Sequence, residues 1–538
     1  MKTISDRLVW SLLAVTSLLG VGIILVSTGR GPGVGGDATV YLSTAQNLLK
    51  GTGLGMTEAD GAFHFLSYYP PLFPISLTAL GLVGMNLVTA ARWLNALLYG
   101  LLVGLSGIVL GRASRSALTG LLAALALAVS PIAIPPFSWA MSEPLANFLG
   151  FLGLACLLWS LERKNGWGFL FVSSVLCGLS IITRYASLPF LAGGALGLLA
   201  LSGASGKRRV LQAGAYLVVG LVPVGIWEIW DYLHSNSLAS RSTAGGALNL
   251  VSKLGAFWAD LRQALIGWLT PASWLDSILK NGLLQSLLAL VLLGGVIIWT
   301  VWALRKQAGQ NTTGLRRVLV LAGLFFGAYL AFILLTYLFV FPTIDVNQRI
   351  LLPLHIALIW IVAALAGLTI QNPGFSRRAG VGIGLAAVLL CGWFGVRSAL
   401  VVQQNYRDGL GYNSVAWQTS PTIAQIDKLP PGTALISNEP TAIIYLTGKT
   451  AFTLVEPRAA TAETAFTRYG DGDLGNDRPQ QVFKENGAAL VMFNSALTDF
   501  QALYGDRAAE RLQILVGGLK VGYTGQDGSI YYYPKPGQ

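Results

Sequence analysis

Residues 8–27 read LVWSLLAVTSLLGVGIILVS, an unbroken apolar run of about 20 residues, the length a helix needs to cross the hydrocarbon core of a bilayer. Met1-Lys2 and Arg7 precede it. A secretory signal has a shorter apolar core and a small-residue cleavage site, so the run reads as a retained first membrane helix. Comparable runs recur at 89–110, 118–134, 145–161, 167–182, 188–201, 210–230, 283–304, 318–341, 350–370 and 379–396. The expectation is a polytopic α-helical membrane protein of about 11 transmembrane helices. The runs 167–182 and 188–201 are short, and a single broken span there would change the count by one.

Composition agrees. Of 538 residues, 54% are hydrophobic and 11% charged, against roughly 25% charged in soluble domains. That excludes a water-soluble enzyme and a disordered chain, and the long runs exclude a β-barrel, whose strands alternate. The 36 Lys+Arg against 24 Asp+Glu leave a net charge of +12. The cations gather in short turns: Arg112/Arg115, Arg163/Lys164, Lys207/Arg208/Arg209, Arg305/Lys306/Arg316/Arg317 and Arg377/Arg378. Such alternation is a topology signal rather than a nucleic-acid surface, and it places the N-terminus in the cytoplasm and the C-terminus outside. Cys156, Cys177 and Cys391 lie within apolar runs, which argues against a disulfide framework or zinc site.

Loop length differs between the two faces. The expected cytoplasmic turns are short, whereas the outer side holds residues 28–88, 234–282 and everything beyond about 397. Long ordered loops on one face tend to carry binding or catalytic groups. The division expected is a membrane domain over 1–400, with interfacial helices in its first outer loop 28–88, and an extracytoplasmic domain over 401–538. In that tail, 434–437 and 488–493 read as strands, 440–446 and 479–486 as helices, and 521–523 with 529–533 as a hairpin around Gln526-Asp527-Gly528. A small soluble α/β domain is expected there.

The first outer loop is the most informative. Tyr41, Ala45, Leu48 and Leu49 recur at helical spacing, giving a short amphipathic helix on the membrane surface, with Asp37 at its N-cap and Gly51 and Gly53 ending it. Asp37 is then either a cap or a base for an acceptor at the mouth of the membrane region. Tyr68-Tyr69-Pro70-Pro71 opens a second apolar segment, read equally as an aromatic belt with helix-starting prolines or as substrate contact. Gly31, Gly33 and Gly36 fit a dinucleotide fingerprint, but no strand precedes them and Pro32 interrupts them. Asn311-Thr312-Thr313 is a glycosylation sequon on the wrong side.

Ionisable residues stand at the outer ends of several helices: Glu143 in Ser142-Glu143-Pro144, Arg184 in Thr183-Arg184-Tyr185, Arg349 after Asp345, Glu228 and Asp231, and Arg241 in the long loop. Singly each could snorkel to the interface. Together they would place three arginines and three or four carboxylates around one outer cavity, and arginine's fork suits phosphate, which points to an anionic lipid-linked ligand. His64, His234 and His355 are scattered, with no zinc spacing and no Ser-His-Asp grouping.

These pieces together resemble the GT-C superfamily of polytopic glycosyltransferases that use polyprenyl-phosphate-linked sugars. The resemblance is to the family-39-like group related to protein O-mannosyltransferases and the lipid A aminoarabinose transferase. It rests on Gly36-Asp37 with Tyr41, Ala45-x-Asn47-Leu48-Leu49-x-Gly51-x-Gly53-Leu54, Tyr69-Pro70-Pro71-Leu72-Phe73-Pro74, Ser142-Glu143-Pro144, Thr183-Arg184-Tyr185, and Arg349 before Leu352-Pro353. In the tail it rests on Ser437-Asn438-Glu439-Pro440 and Ile443-Ile444-Tyr445-Leu446-Thr447-Gly448-Lys449.

The resemblance implies an inverting transferase in a bacterial plasma membrane. Asp37 would be the catalytic carboxylate, with Glu143 as the alternative base. Arg184, Arg241 and Arg349 would hold the donor phosphate, and Tyr41, His64, Tyr68 and Tyr69 would contact substrate. The donor would be a polyprenyl-phosphate sugar and the acceptor a glycan, lipid or protein. Many relatives follow the Asp with a second acid. Here Ala38 stands instead, so neither a metal nor another cofactor is expected. Two alternatives remain: a polysaccharide polymerase or ligase with a diphosphate-linked donor, and a lipid-linked sugar transporter or flippase, which polar residues on one face and the lack of a visible repeat disfavour.

Overall fold

The computed structural model describes residues 6–235, 242–243, 250–271, 274, 280–306, 313–341, 345–372, 375–454, 488–517 and 519–532. All eleven apolar runs are helical. Eight helices are long and apolar enough to cross a membrane: Leu8–Ser27, Leu87–Ser114, Glu143–Leu161, Gly206–His234, Gly282–Arg305, Thr313–Phe339, Leu352–Ile370 and Arg377–Asp408. The runs at 118–134, 167–182 and 188–201 form the shorter apolar helices Ala117–Ala128, Trp167–Ile181 and Leu188–Leu201. The second apolar segment of the first loop is the helix Leu72–Leu82, entered from Pro71. The chain is an integral membrane protein of mixed long and short helices.

The residues fall into two compact units. One comprises 1–29 and 66–407, the other 30–65 and 408–538. Where the sequence reading keeps the whole first loop with the membrane helices, packing groups 30–65 with the tail. The backbone supplies the reason: Val34 bridges Gly411 and its carbonyl accepts from Tyr412 N–H at 2.8 Å, while Asn413 Nδ2 donates to the Pro32 carbonyl at 2.7 Å.

In the helical unit, Glu143–Leu161 packs against Trp167–Ile181 and Leu87–Ser114, and Thr313–Phe339 packs against Leu188–Leu201 and Leu352–Ile370. Hydrocarbon offers no hydrophobic drive between helices, so close backbone approach matters. A Cβ added at Gly178 would overlap the Gly220 carbonyl oxygen, and one at Gly120 would overlap that of Gly107. Phe151, Phe190, Phe325 and Trp360 interlock by edge and stacked contacts at the buried centre.

The second unit has a five-stranded sheet in the order Phe452–Thr453, Leu435–Ser437, Ala489–Phe493, Gly528–Tyr532, Lys520–Thr524. The first three strands are parallel and the last two antiparallel to their neighbours. Ala489–Phe493 is buried throughout. Leu490 and Met492 enter one core with Ile436 and Phe500, and Ala489, Val491 and Phe493 the other with Leu435 and Ile443. A strand covered on both faces reads as a continuous apolar run. The expected hairpin, the strands near 434 and 488 and the helix Pro440–Thr447 are all present. The helix expected over 479–486 lies outside the described residues.

The helix after the first membrane span begins at Asp37 itself, so the N-cap position belongs to Gly36 and not to Asp37 as the sequence suggests. Gly36 has φ +48°, a conformation that glycine takes without a Cβ penalty. Asp37 thus occupies the first helical turn, where a carboxylate complements the helix dipole. Gly51 and Gly53, both at positive φ, follow its end.

Candidate active site

Glu143 opens its helix with Pro144 in the first turn, where the missing proline N–H costs nothing. Its side chain is only 3% exposed. The next apolar hairpin supplies Arg184, in the extended link between Trp167–Ile181 and the short 3-10 turn Tyr185–Ser187. That link is anchored. Arg184 N–H donates to the Ser180 carbonyl at 3.0 Å, the Ile182 carbonyl accepts from Leu72 N–H at 3.0 Å, and Trp227 Nε1 donates to the Tyr185 hydroxyl at 2.7 Å. Arg349 comes from a third region, just before Leu352–Ile370. Asn347 Oδ1 accepts from the N–H of Arg349 at 3.0 Å and of Ile350 at 3.1 Å, a side-chain turn that fixes the backbone of the arginine.

The three charges converge. Arg184 Nη1 and Arg349 Nε each lie 3.2 Å from Oε1 of Glu143. Neither carboxylate oxygen has a hydrogen-bond partner among the described residues, so the attraction is ionic rather than a closed fork. The arginines are 20% and 37% exposed, and they face a small cleft lined also by Asn147, Ser187, Tyr329 and Pro353. Tyr329 commits its hydroxyl hydrogen to the Ile350 carbonyl at 2.8 Å. Arg349 Nη1 lies 3.9 Å from Met141 Sδ. Two guanidiniums lining one half-buried cleft are suited to an anion.

Of the residues singled out in the sequence, the structure gathers Glu143, Arg184 and Arg349 in one cleft. Glu228 is half-buried and Asp231 buried on the Gly206–Ser235 helix, and neither lines this cleft. Arg241 lies outside the described residues. Tyr68 and Tyr69 belong to the helical unit and form an edge-on pair with centroids 5.0 Å apart. Asp37, Tyr41 and His64 belong to the other unit. There Tyr41 is 1% exposed, and His64 is half-exposed with Nε2 4.0 Å from the Glu58 carboxylate. Sequence reasoning did not find Asn147 or Tyr329. Asn147 carried one signal: a polar residue one turn beyond Glu143 on an otherwise apolar helix.

No family model matches the chain, and no curated protein matches it by sequence. Solved structures do. ArnT from Cupriavidus metallidurans bound to undecaprenyl phosphate aligns with a TM-score of 0.56 at 15% identity, over 97% of this chain and 98% of that one. The Archaeoglobus fulgidus oligosaccharyltransferase, in a complex with Zn and sulfate, aligns at 0.55 and 12% identity over 97% and 72%. The arabinofuranosyltransferase AftD from Mycobacteria aligns at 0.53 and 14% identity, over 98% of this chain and 42% of that one. The chain shares the fold of these solved transferases.

Proposed function

We propose that this protein is an inverting glycosyltransferase that moves a sugar from a polyprenyl-phosphate donor to an acceptor hydroxyl on the outer face of a bacterial plasma membrane. The observation that carries the reading is the convergence of Arg184 and Arg349 on buried Glu143 beside a cleft, within a fold shared with an ArnT that is bound to undecaprenyl phosphate. A phosphodiester donor brings one negative charge to a cleft lined by two guanidiniums. When the bond from the anomeric carbon to the phosphate oxygen breaks, both electrons pass to that oxygen and the leaving phosphate gains a further charge. Arginines held in place before the reaction stabilise that developing charge without reorganising.

Glu143, tied to two guanidiniums, is placed to orient them. On the family resemblance the base is Asp37, which takes the proton from the acceptor hydroxyl as its oxygen attacks the anomeric carbon. One bond forms and one breaks at that carbon, so no enzymic nucleophile is needed.

The experiment is to compare lipid-linked sugars in cells that have and lack this protein. One polyprenyl-phosphate sugar should accumulate in its absence. An unchanged pool of such lipids would remove the transferase reading.

A further inference from the structure

Asn147 stands one helical turn beyond Glu143 on the Glu143–Leu161 helix and lines the same cleft. It is 3% exposed. Its Nδ2 donates to the Glu143 carbonyl oxygen at 2.9 Å. A carbonyl oxygen can only accept, so this bond fixes which end of the amide is which. The other end, Oδ1, is a buried acceptor with no partner among the described residues. An acceptor left unpaired in a buried place costs about 1–3 kcal/mol, so its retention beside the arginines needs an explanation.

The chemistry of the lining narrows what would satisfy it. Arg184 and Arg349 offer only donors, which suit phosphate oxygens. Tyr329 has committed its hydrogen to Ile350 and offers only lone pairs, and the Glu143 carboxylate likewise only accepts. A bare lipid phosphate, a monoester, brings at most one hydrogen, and that one is lost on ionisation near neutral pH. A sugar attached to the phosphate brings several.

We propose that Asn147 Oδ1 accepts a hydrogen bond from a ring hydroxyl of the sugar carried on the donor phosphate, so that the cleft distinguishes glycosylated from bare lipid phosphate. This rests on the donor class proposed above. The group touches substrate without transferring a proton, so it sets specificity. A second consequence follows for turnover: once the sugar has left, Oδ1 loses its partner, so Asn147 helps to hold the donor and not the spent lipid.

The test uses the full chain in lipid nanodiscs and measures binding of undecaprenyl phosphate bare, carrying a hexose, and carrying a pentose. The wild type should bind at least one sugar-bearing lipid more tightly than the bare lipid. Asn147→Ala should lose about 5- to 30-fold in affinity for that lipid and leave bare-lipid affinity unchanged. Asn147→Leu, which keeps the branching at Cγ but has no polar atom, should behave alike and guards against a defect that comes only from the cavity Ala leaves. Equal wild-type affinity for all three lipids overturns the inference, as does an equal loss for bare and sugar-bearing lipid in both variants. Failure of the wild type to bind even bare undecaprenyl phosphate would instead sink the donor assignment beneath it.

Discussion

Arg184 and Arg349, which come from different helix junctions, meet on a single oxygen of Glu143 at 3.2 Å each. A carboxylate shared in this way sets the separation and tilt of the two guanidiniums. Removing one partner from a buried pair is more damaging than the pair's net worth, because the remaining charge is stranded, at a cost of about 3–5 kcal/mol.

Lysine at either arginine should therefore fail. A point charge cannot reproduce a planar fork, so Arg184→Lys and Arg349→Lys should each weaken donor binding by about tenfold or more. If either arginine only anchored its helix at the membrane surface, lysine would snorkel equally well. Isothermal or fluorescence titration with a polyprenyl-phosphate lipid decides the matter, and unchanged affinity in both variants would take the arginines out of the site.

Glu143→Gln separates orienting from proton transfer. It removes the charge that aligns the arginines and makes the cluster one unit more positive. Affinity for bare polyprenyl phosphate should hold or rise while turnover drops about 10- to 100-fold. A drop in turnover with an altered pH profile of the essential base would return Glu143 to the role of base.

Asp37→Asn should reduce turnover by about a hundredfold or more, because amide for carboxylate removes proton-accepting ability at constant shape. Asp37 lies in the first helical turn and not at the cap. The substitution should thus cost at most about 1 kcal/mol through the helix dipole and leave donor binding intact. Near wild-type turnover by folded protein would falsify the assignment of the base.

Membrane orientation has its own measurement. Reporter fusions at Gly111 and Gly206 should report the cytoplasm, and fusions beyond Arg407 the outer side, on the distribution of basic turns. A cytoplasmic tail would move the proposed chemistry to the wrong face.

The last expectation concerns pH. Burial pushes the Glu439 carboxyl above its ordinary value, with Asp499 adding to the rise, while hydrogen bonds from Ser495 and Tyr412 oppose it. A raised carboxyl contributes stability that is fully present below its unfolded value and is lost as pH rises through its folded value. Glu439→Gln should remove that part of the slope, so its thermal unfolding advantage over wild type should grow with pH between about 4 and 8. An advantage that stays constant across that range would mean that ionisation of Glu439 carries none of the effect.

The sequence by itself determined the local part of this protein. A run such as 8–27 has no alternative in a bilayer but a helix, since every backbone group must be paired within the segment. In the tail an unbroken apolar run announced Ala489–Phe493, and short runs around a turn announced the final hairpin, since local patterning sets which faces can be buried. Glu143, Arg184 and Arg349 were legible as charges at helix ends because an ionisable group in apolar surroundings needs a partner. Which partner it finds depends on helices brought together by close contacts such as Gly178 on Gly220, and no spacing encodes that. The convergence of two arginines on Glu143, the unpaired Oδ1 of Asn147 and the pairing of Val34 with Gly411 are properties of chain segments far apart in sequence. Only tertiary packing decided them, because the energy of a buried charge or amide is set by neighbours supplied from other segments.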